Sequence, residues 1–431
     1  MSRFNSPARR VLCLRAAAAL LAAAPNFWTA HAGAQVPQVL TWEQCLQLAS
    51  SQNAELQAAR ANVDAAQSRV RAARSGYYPQ LSAGAASTDS SGSAVTLGPS
   101  HSAKVTATQN LFAGFLDEAS VEQASANERA AQADLVAANA KISRDLKAAF
   151  AGLVAAQDSV VLADQIEQRL GENLRLVQLR FEGGRENKGS FLLTQAALRQ
   201  AQLESLQARQ AVGSAAAQLA RVLTYRDGTD LRVQGVVPVS APPPAPDFAA
   251  LAARVPAYLK AQAQEDAARA EVRLARVGFY PSVDVSASAA REGGDFPPQD
   301  NRRTVGITLT VPLFSGGRDY YGTQSAASNL SAVSSSKADV ERSTLVSLKQ
   351  THAAFVEAVE RLSVDEAFLE AAITRAEIAR SKYAQGLMSF EDWDRIENDL
   401  IVRQKAVLFS RRDRVTAQAA WEQAQGVGVI R

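Results

Sequence analysis

The sequence predicts a mainly α-helical protein with a small β part, in which long antiparallel coiled-coil helices carry four short strands. Three observations predict it. Apolar residues recur with a seven-residue period over long stretches, which marks helices packed as coiled coils. Four short segments switch to a period of two, which marks strands. The third is repetition: "ARSGYYP", ending at Pro79, returns as "ARVGFYP", ending at Pro281, 202 residues later.

The chain opens on Arg3, Arg9 and Arg10, then an apolar run, "VLCLRAAAALLAAA", and small residues around Ala30, Ala32 and Ala34. Residues 1–34 therefore read as a secretory signal, with cleavage after Ala32 or Ala34. Its loss would remove four arginines and turn the formal charge of +3 into about −1. No electrostatic case for nucleic acid or an anionic membrane surface survives that change. Cys13 would leave with the signal and Cys45 would stand alone, so no intrachain disulfide is expected. Neither cysteine follows the small-residue pattern of a lipidation site. Beyond the signal no run of 18 apolar residues occurs, so no membrane-spanning helix is expected.

The offset of 202 recurs. "NLFAGF" from Asn110 falls on "PLFSGG" from Pro312, "RFEGG" from Arg180 on "KYAQG" from Lys382, and "NAEL" from Asn53 on "VPAY" from Val255. The chain thus divides into a first repeat, 35–237, a Pro-rich linker, 238–246, and a second repeat, 247–431. "PVSAPPPAP" in the linker suits a stiff polyproline-like segment.

Each repeat holds a long proline-free interval rich in Ala, Leu, Gln, Glu and Arg, which favour helix. Steps of four and three from Ile142 to Phe181 meet an apolar residue everywhere except Glu167. The same steps from Leu345 to Tyr383 are broken by His352, Glu366 and Arg380. A helix from about Leu116 to Phe181 would be on the order of 100 Å long at about 1.5 Å per residue. Between the helices, Val283, Val285, Ala287 and Ala289 alternate with polar residues, as do Val305, Ile307, Leu309 and Val311. Leu81, Ala83, Ala85, then Ala103, Val105, Ala107 and Leu111 repeat this more weakly. Polar segments from Ser87 to Ser100 and from Arg291 to Arg302 would close two hairpins.

The repeated "GYYP" and "GFYP" turn helix into strand. Gly76 and Gly278 are expected to take the left-handed conformation that ends a helix, and Pro79 and Pro281 push the preceding tyrosines out of helical geometry. Tyr77, Tyr78, Phe279 and Tyr280 then stand where strands begin, and Phe112 and Phe314 where they end. That placement fits the aromatic girdle of a membrane barrel, or the cap of a soluble sheet. Closure bears on the choice. Four strands cannot close a barrel, and open edges cannot face lipid. If the strands cross a membrane, several chains must share one barrel.

With this layout the chain resembles the TolC-like outer membrane efflux proteins (outer membrane factors), from roughly Leu40 to its end. The resemblance rests on the twofold repeat, the two Gly-aromatic-aromatic-Pro junctions, the "LFAGF" and "LFSGG" strand ends, and the "RFEGG" and "KYAQG" turns. It implies a homotrimer whose chains pool four strands each into a twelve-stranded transmembrane β-barrel in outer membrane lipid. It also implies an α-barrel through the periplasm. The implied function is a channel-tunnel, the passive exit duct of a tripartite efflux pump or type I secretion system. Its partners would be a periplasmic adaptor (membrane fusion) protein and an inner-membrane transporter. The resemblance also implies that the turns after the long helices dock the adaptor: Arg180, Gly183, Gly184 and Arg185 in one, Lys382, Gly386 and Leu387 in the other. The first turn is about three residues longer than the second. Some family members gate the mouth with acidic rings; here Asp392 matches such a position, Arg395 stands where a second acid is expected, and Asp399 shares that helical face. Glu391, Asp392 and Asp394 equally suit a first helical turn.

No metal, nucleophile or phosphate-loop constellation is present, so neither an enzyme nor a cofactor is expected. One methionine beyond the initiator argues against a methionine relay for soft metals. The competing reading is a soluble periplasmic coiled-coil scaffold. It would need an apolar partner for the face carrying Val305, Ile307, Leu309 and Val311.

Overall fold

The structure is a computed structural model that describes residues 39–90, 97–225, 231–244 and 246–430. The expected signal lies outside the described residues. In chain order the elements are β1 (Val39–Thr41), α1 (Trp42–Gln52), α2 (Ala54–Ala73), β2 (Gln80–Ser90), β3 (Leu97–Ala113), α3 (Leu116–Glu182) and α4 (Lys188–Val222). They continue as β4 (Arg232–Gln234), α5 (Phe248–Ala252), α6 (Pro256–Arg276), β5 (Ser282–Gly293), β6 (Asp300–Thr310), α7 (Arg318–Ala384) and α8 (Phe390–Ala424). The helices α3 and α7 each have 67 residues, and α4 and α8 each have 35.

Local chemistry sets the helix starts. Thr41 and Gln44 form a reciprocal capping box on α1, and the side chains of Asn53, Asn187 and Ser389 each accept a backbone N–H three residues on. Such caps satisfy donors that the first turn leaves open. Along α3, Ala119, Ala126, Ala133 and Ala140 are all buried. A small residue every seventh position lets neighbouring helices approach closely. Farther on, Ile142, Leu146, Phe150 and Leu153 enter the main core with Leu40, Trp42, Leu56, Leu219 and Leu223. Burial there raises the pKa of the Cys45 thiol to about 12. One window of α3 is apolar enough by composition to cross a membrane, although it holds no unbroken run of 18 apolar residues. Within the chain α3 packs along α2, α4, α6 and α8.

The expected stripe on α7 holds through Leu348, Phe355 and Leu362 and then drifts. Ala372, Ala376, Ala379 and Tyr383 are buried, whereas Ile373 and Arg380 are exposed. A helix of 3.6 residues per turn rotates about 20° per heptad away from a strict seven-residue repeat. His352, a break in that stripe, has a structural role. Its Nε2 lies 3.0 Å from the carbonyl of Pro243, and its ring meets Phe248 and Trp421 edge-on. It thus ties the described part of the linker to α7.

The strands form a four-stranded antiparallel sheet in the order β2-β3-β5-β6. They run farther than the sequence suggests: Thr88, Ser100, Arg291 and Arg302, expected in turns, are paired in the ladders. Polar side chains do not end a strand whose backbone stays hydrogen-bonded. A second sheet was not expected. It pairs β1 with β4 in parallel, Leu40 opposite Val233, and the side-chain amide of Gln157 both donates to and accepts from the backbone of Val233. Three-residue strands are too short to show a period.

The helix-to-strand junctions work differently from the expectation. Gly76 and Gly278 are not left-handed; each lies in a 3₁₀ turn. Glycine there leaves room for a neighbouring carboxylate. A Cβ on Gly278 would lie 2.6 Å from Cγ of Asp319, and one on Gly76 would collide with Asp117 in the same way. The left-handed residues sit instead at the strand-to-helix joints: Gly114 and Phe115, then Gly316 and Gly317. Phe115, at φ 69°, is in a conformation a side chain disfavours, and its ring is held edge-on between Phe112 and Tyr280. Gly278→Ala is expected to destabilise by roughly 1–3 kcal/mol through overpacking. Adding Asp319→Ala should restore most of the loss. Thermal unfolding of both variants checks this, and equal losses in the two would count against it.

Candidate functional site

The two turns that end α3 and α7 are built alike. After α3, Gly184 (φ 68°) lets the N–H of Arg185 donate to the carbonyl of Arg180 (2.8 Å) and its own N–H to that of Phe181 (3.0 Å). After α7, Gly386 (φ 79°) lets Leu387 donate to Lys382 (2.9 Å) and Gly386 to Tyr383 (3.0 Å). Both are Schellman turns, which need a left-handed residue at that position. Gly183, Arg185, Lys382 and Leu387 are exposed on the turns.

The fold brings these two turns together. Arg180 Nη1 donates to the backbone carbonyl of Tyr383 at 2.6 Å, and the guanidinium lies 4.5 Å from the centre of the Tyr383 ring. Tyr383 Oη donates to Glu186 at 2.9 Å. Behind them Tyr383 stacks on Trp393 at 4.3 Å, in a cluster with Val177, Ala379 and Phe390. Burial and the hydrogen bond to Glu186 push the Tyr383 hydroxyl pKa above its ordinary value, so it stays a donor at physiological pH. Arg180 was expected at this turn and Tyr383 in the apolar stripe; Glu186 and Trp393 were not, and their one signal in the sequence is a lone tryptophan in "EDWDR", an otherwise charged stretch.

The acidic candidates sit on α8. Asp392 is exposed, its backbone N–H and carboxylate both meeting the Ser389 hydroxyl at the helix cap. Arg395 is exposed. Asp399 is half-buried, accepting from Arg403 at 3.3 Å and lying 3.6 Å from Arg375.

One turn deeper lies a polar cluster that no motif announced. Glu397 is 4% exposed and Asn173 2%. Arg169 Nη1, Asn173 Oδ1, Trp393 Nε1 and Glu397 Oε2 are buried without hydrogen-bond partners. Desolvation raises the Glu397 pKa, opposed by Arg169 and Asn173 from α3, Arg380 from α7 and Trp393 from α8. A raised carboxyl pKa means the folded state binds the proton more readily than the unfolded state. This site therefore adds stability as pH falls through the folded pKa toward the ordinary carboxyl range. Glu397→Gln is expected to be more stable than the wild type at neutral pH and to lose that rise on acidification. Melting curves of both proteins from about pH 7.5 to 5 test it, and an unchanged pH slope in the variant would refute it.

At the sheet, one face is apolar and, on β5, the more exposed. On β5, Ala287, Ala289 and Arg291 are exposed while Ser286, Ser288, Ala290 and Glu292 are half-buried. The apolar face carries Leu81, Val105, Val305 at 79% exposure and Ile307 at 74%. Tyr77, Tyr78, Phe279, Tyr280 and Phe314 are exposed near the helix junctions, with Phe112 half-buried. Tyr320 and Tyr321, on the first turn of α7, join them and were not anticipated. The outer strands β2 and β6 have no partner on their far edges among the described residues.

Long helical hairpins carrying an apolar, open-edged sheet are the layout of an outer membrane channel subunit. The chain belongs to the outer membrane efflux protein family, whose profile it matches over residues 45–224 and 249–427. Membership places it in the outer membrane, extending into the periplasm, and sets the soluble-scaffold reading aside. The alkaline protease secretion protein AprF of Pseudomonas aeruginosa is 26% identical over 284 residues, 63% of this chain and 58% of that protein. The match thus spans little more than half of that relative. Among solved structures, CusC superposes with a TM-score of 0.80 at 16% identity, covering 90% of this chain and 92% of CusC. The outer membrane protein VceC of Vibrio cholerae gives 0.80 at 20% identity, covering 90% and 96%. These two likenesses concern the fold.

Proposed function

We propose that three copies of this chain close a twelve-stranded β-barrel in the outer membrane and a twelve-helix tunnel below it. The assembly is a passive exit duct of a tripartite efflux pump or type I secretion system. One observation carries the reading: a four-stranded sheet with two unpaired edges and an exposed apolar face. The apolar face suits lipid, but open sheet edges do not face lipid, so they must pair with other chains. The two matched stretches support a duplicated chain, 35–237 and 247–431, joined at 238–246 after removal of residues 1–34. Likeness to AprF favours secretion as the cargo route without naming a cargo.

In this reading the exposed turn residues Gly183, Gly184, Arg185, Lys382, Gly386 and Leu387 dock a periplasmic adaptor, and an inner-membrane transporter supplies the energy. Arg180 holds the two turns of one subunit together. Asp392, with Arg395 and Asp399 along the same face, recurs threefold at the mouth and favours cations. Asp392→Ala is expected to weaken cation preference in single-channel recordings; unchanged selectivity would remove the ring.

Edge-to-edge crosslinking tests the trimer. Within one chain β2 and β6 are three strand spacings apart, about 14 Å, beyond disulfide reach. With Cys45→Ala as background, Ala83→Cys combined in turn with Val305→Cys and Ile307→Cys should give oxidised trimers on a denaturing gel. Monomers throughout the set would end the proposal.

A further inference from the structure

The apolar face of the sheet changes character along its height. Its cross-strand rows run Leu309–Val283–Phe112, then Ile307–Val285–Gln109, then Val305–Ala287–Ala107–Leu81. The next two rows are Arg303–Ala289–Val105–Ala83 and Asn301–Arg291–Ala103–Ala85. Arg303 and Arg291 are thus diagonal neighbours on adjacent strands, about 7–8 Å apart at the backbone. Both are exposed, and around them the face is floored by alanine.

Neither arginine makes an ion pair among the described residues; Arg291 only donates to Asn301 at 3.2 Å. On the opposite face the neighbouring Arg302 does have an acid, Glu292, at 3.4 Å. The positions 202 residues earlier hold Asp89 and His101, so each chain brings one such pair.

Height locates the pair. From Val311 to Arg303 is eight residues, roughly 20 Å of vertical rise for a strand tilted about 40°. The apolar band of an outer membrane barrel is about 25 Å tall. With the aromatic residues at the periplasmic boundary, Arg303 and Arg291 reach the outer headgroup level. There an unpaired guanidinium on a lipid-facing surface needs an anion, and its planar fork fits phosphate in a bidentate manner.

We propose that Arg291 and Arg303 form a docking site for the phosphate of a phosphorylated glycolipid of the outer leaflet, the acyl chains lying over the alanine floor. The inference rests on the barrel reading above, in which the apolar face meets lipid. Three such sites would surround a trimer and fasten it to the outer leaflet.

The test uses full-length trimer in detergent, with diphosphorylated lipid A and its dephosphorylated form as probes and native mass spectrometry as readout. The wild type should retain the diphosphorylated form. The double variant Arg291→Gln/Arg303→Gln should bind it at least about tenfold more weakly, as expected for losing a charged hydrogen-bond pair. Arg302→Gln, on the other face, should bind as the wild type does. Dephosphorylated lipid A should bind the wild type no better than it binds the double variant. Planar-bilayer conductance of all proteins separates the two levels. If the wild type forms no channel, the barrel reading fails. If the double variant conducts normally and holds diphosphorylated lipid A as tightly as the wild type, this inference alone is overturned.

Discussion

Arg180→Ala is expected to make the resting channel leak. The side chain bridges the end of α3 to the turn after α7, through a charged hydrogen bond to the Tyr383 carbonyl at 2.6 Å and through the face of the Tyr383 ring. Hydrogen bonds to charged groups contribute about 1.5–3 kcal/mol. If the proposed duct is closed through this contact, losing about 2 kcal/mol shifts its closed–open equilibrium roughly 30-fold. Closed-state conductance of single channels should rise accordingly, while the temperature at which the trimer dissociates should hardly move. The bond lies at the helix tips, far from the main core around Phe150 and Leu219. Arg180→Lys should restore part of the closure, since it keeps a donor but not the flat fork. A closed-state conductance equal to that of the wild type would show that the two turns are held by Tyr383 and Trp393 without Arg180.

The largest effect on assembly is expected from Ile307→Lys. Ile307 is 74% exposed on the apolar face, midway between the aromatic junctions and the arginine pair. A lysine at the bilayer midplane of a β-barrel costs about 2–4 kcal/mol, and a trimer would carry three. The outer membrane trimer should be largely lost, with the protein degraded or left in the periplasm. Thr308→Lys is the control. It is the next residue, on the opposite face, pairing with Asp284 across the ladder, and it should assemble normally with altered conductance. Membrane fractionation and gel mobility read both outcomes. Equal tolerance of the two lysines would mean that the apolar face does not meet lipid.

The candidate site was legible in parts. Gly184 and Gly386 could be read as helix ends because a local sequence with glycine after a long helix needs only its own backbone to close. What holds the ends together could not be read. Arg180 and Tyr383 are 203 residues apart, and a hydrogen bond to a backbone carbonyl leaves no requirement on the type of its acceptor residue. Gly76 and Gly278 show the opposite failure. Their need for glycine was plain, but the cause assigned to it was local backbone conformation, whereas it is the approach of Asp117 and Asp319 from α3 and α7. The buried cluster of Glu397, Asn173 and Arg169 was invisible for the same reason. A charged residue on a helix reads as solvated until the neighbouring helices cover it.

By itself the sequence determined the long helices, the four principal strands and the glycine turns that end the long helices. Period, capping residues and glycine placement act over a few residues, and α3 began and ended within one residue of its expected bounds. Only the tertiary structure decided how exposed each face of the sheet is, which strands are left as edges, and which polar groups are buried at the helix tips. Those depend on twist, on the drift of a 3.6-residue helix against a seven-residue pattern, and on contacts between distant segments. None of these has a signature within a single stretch of chain.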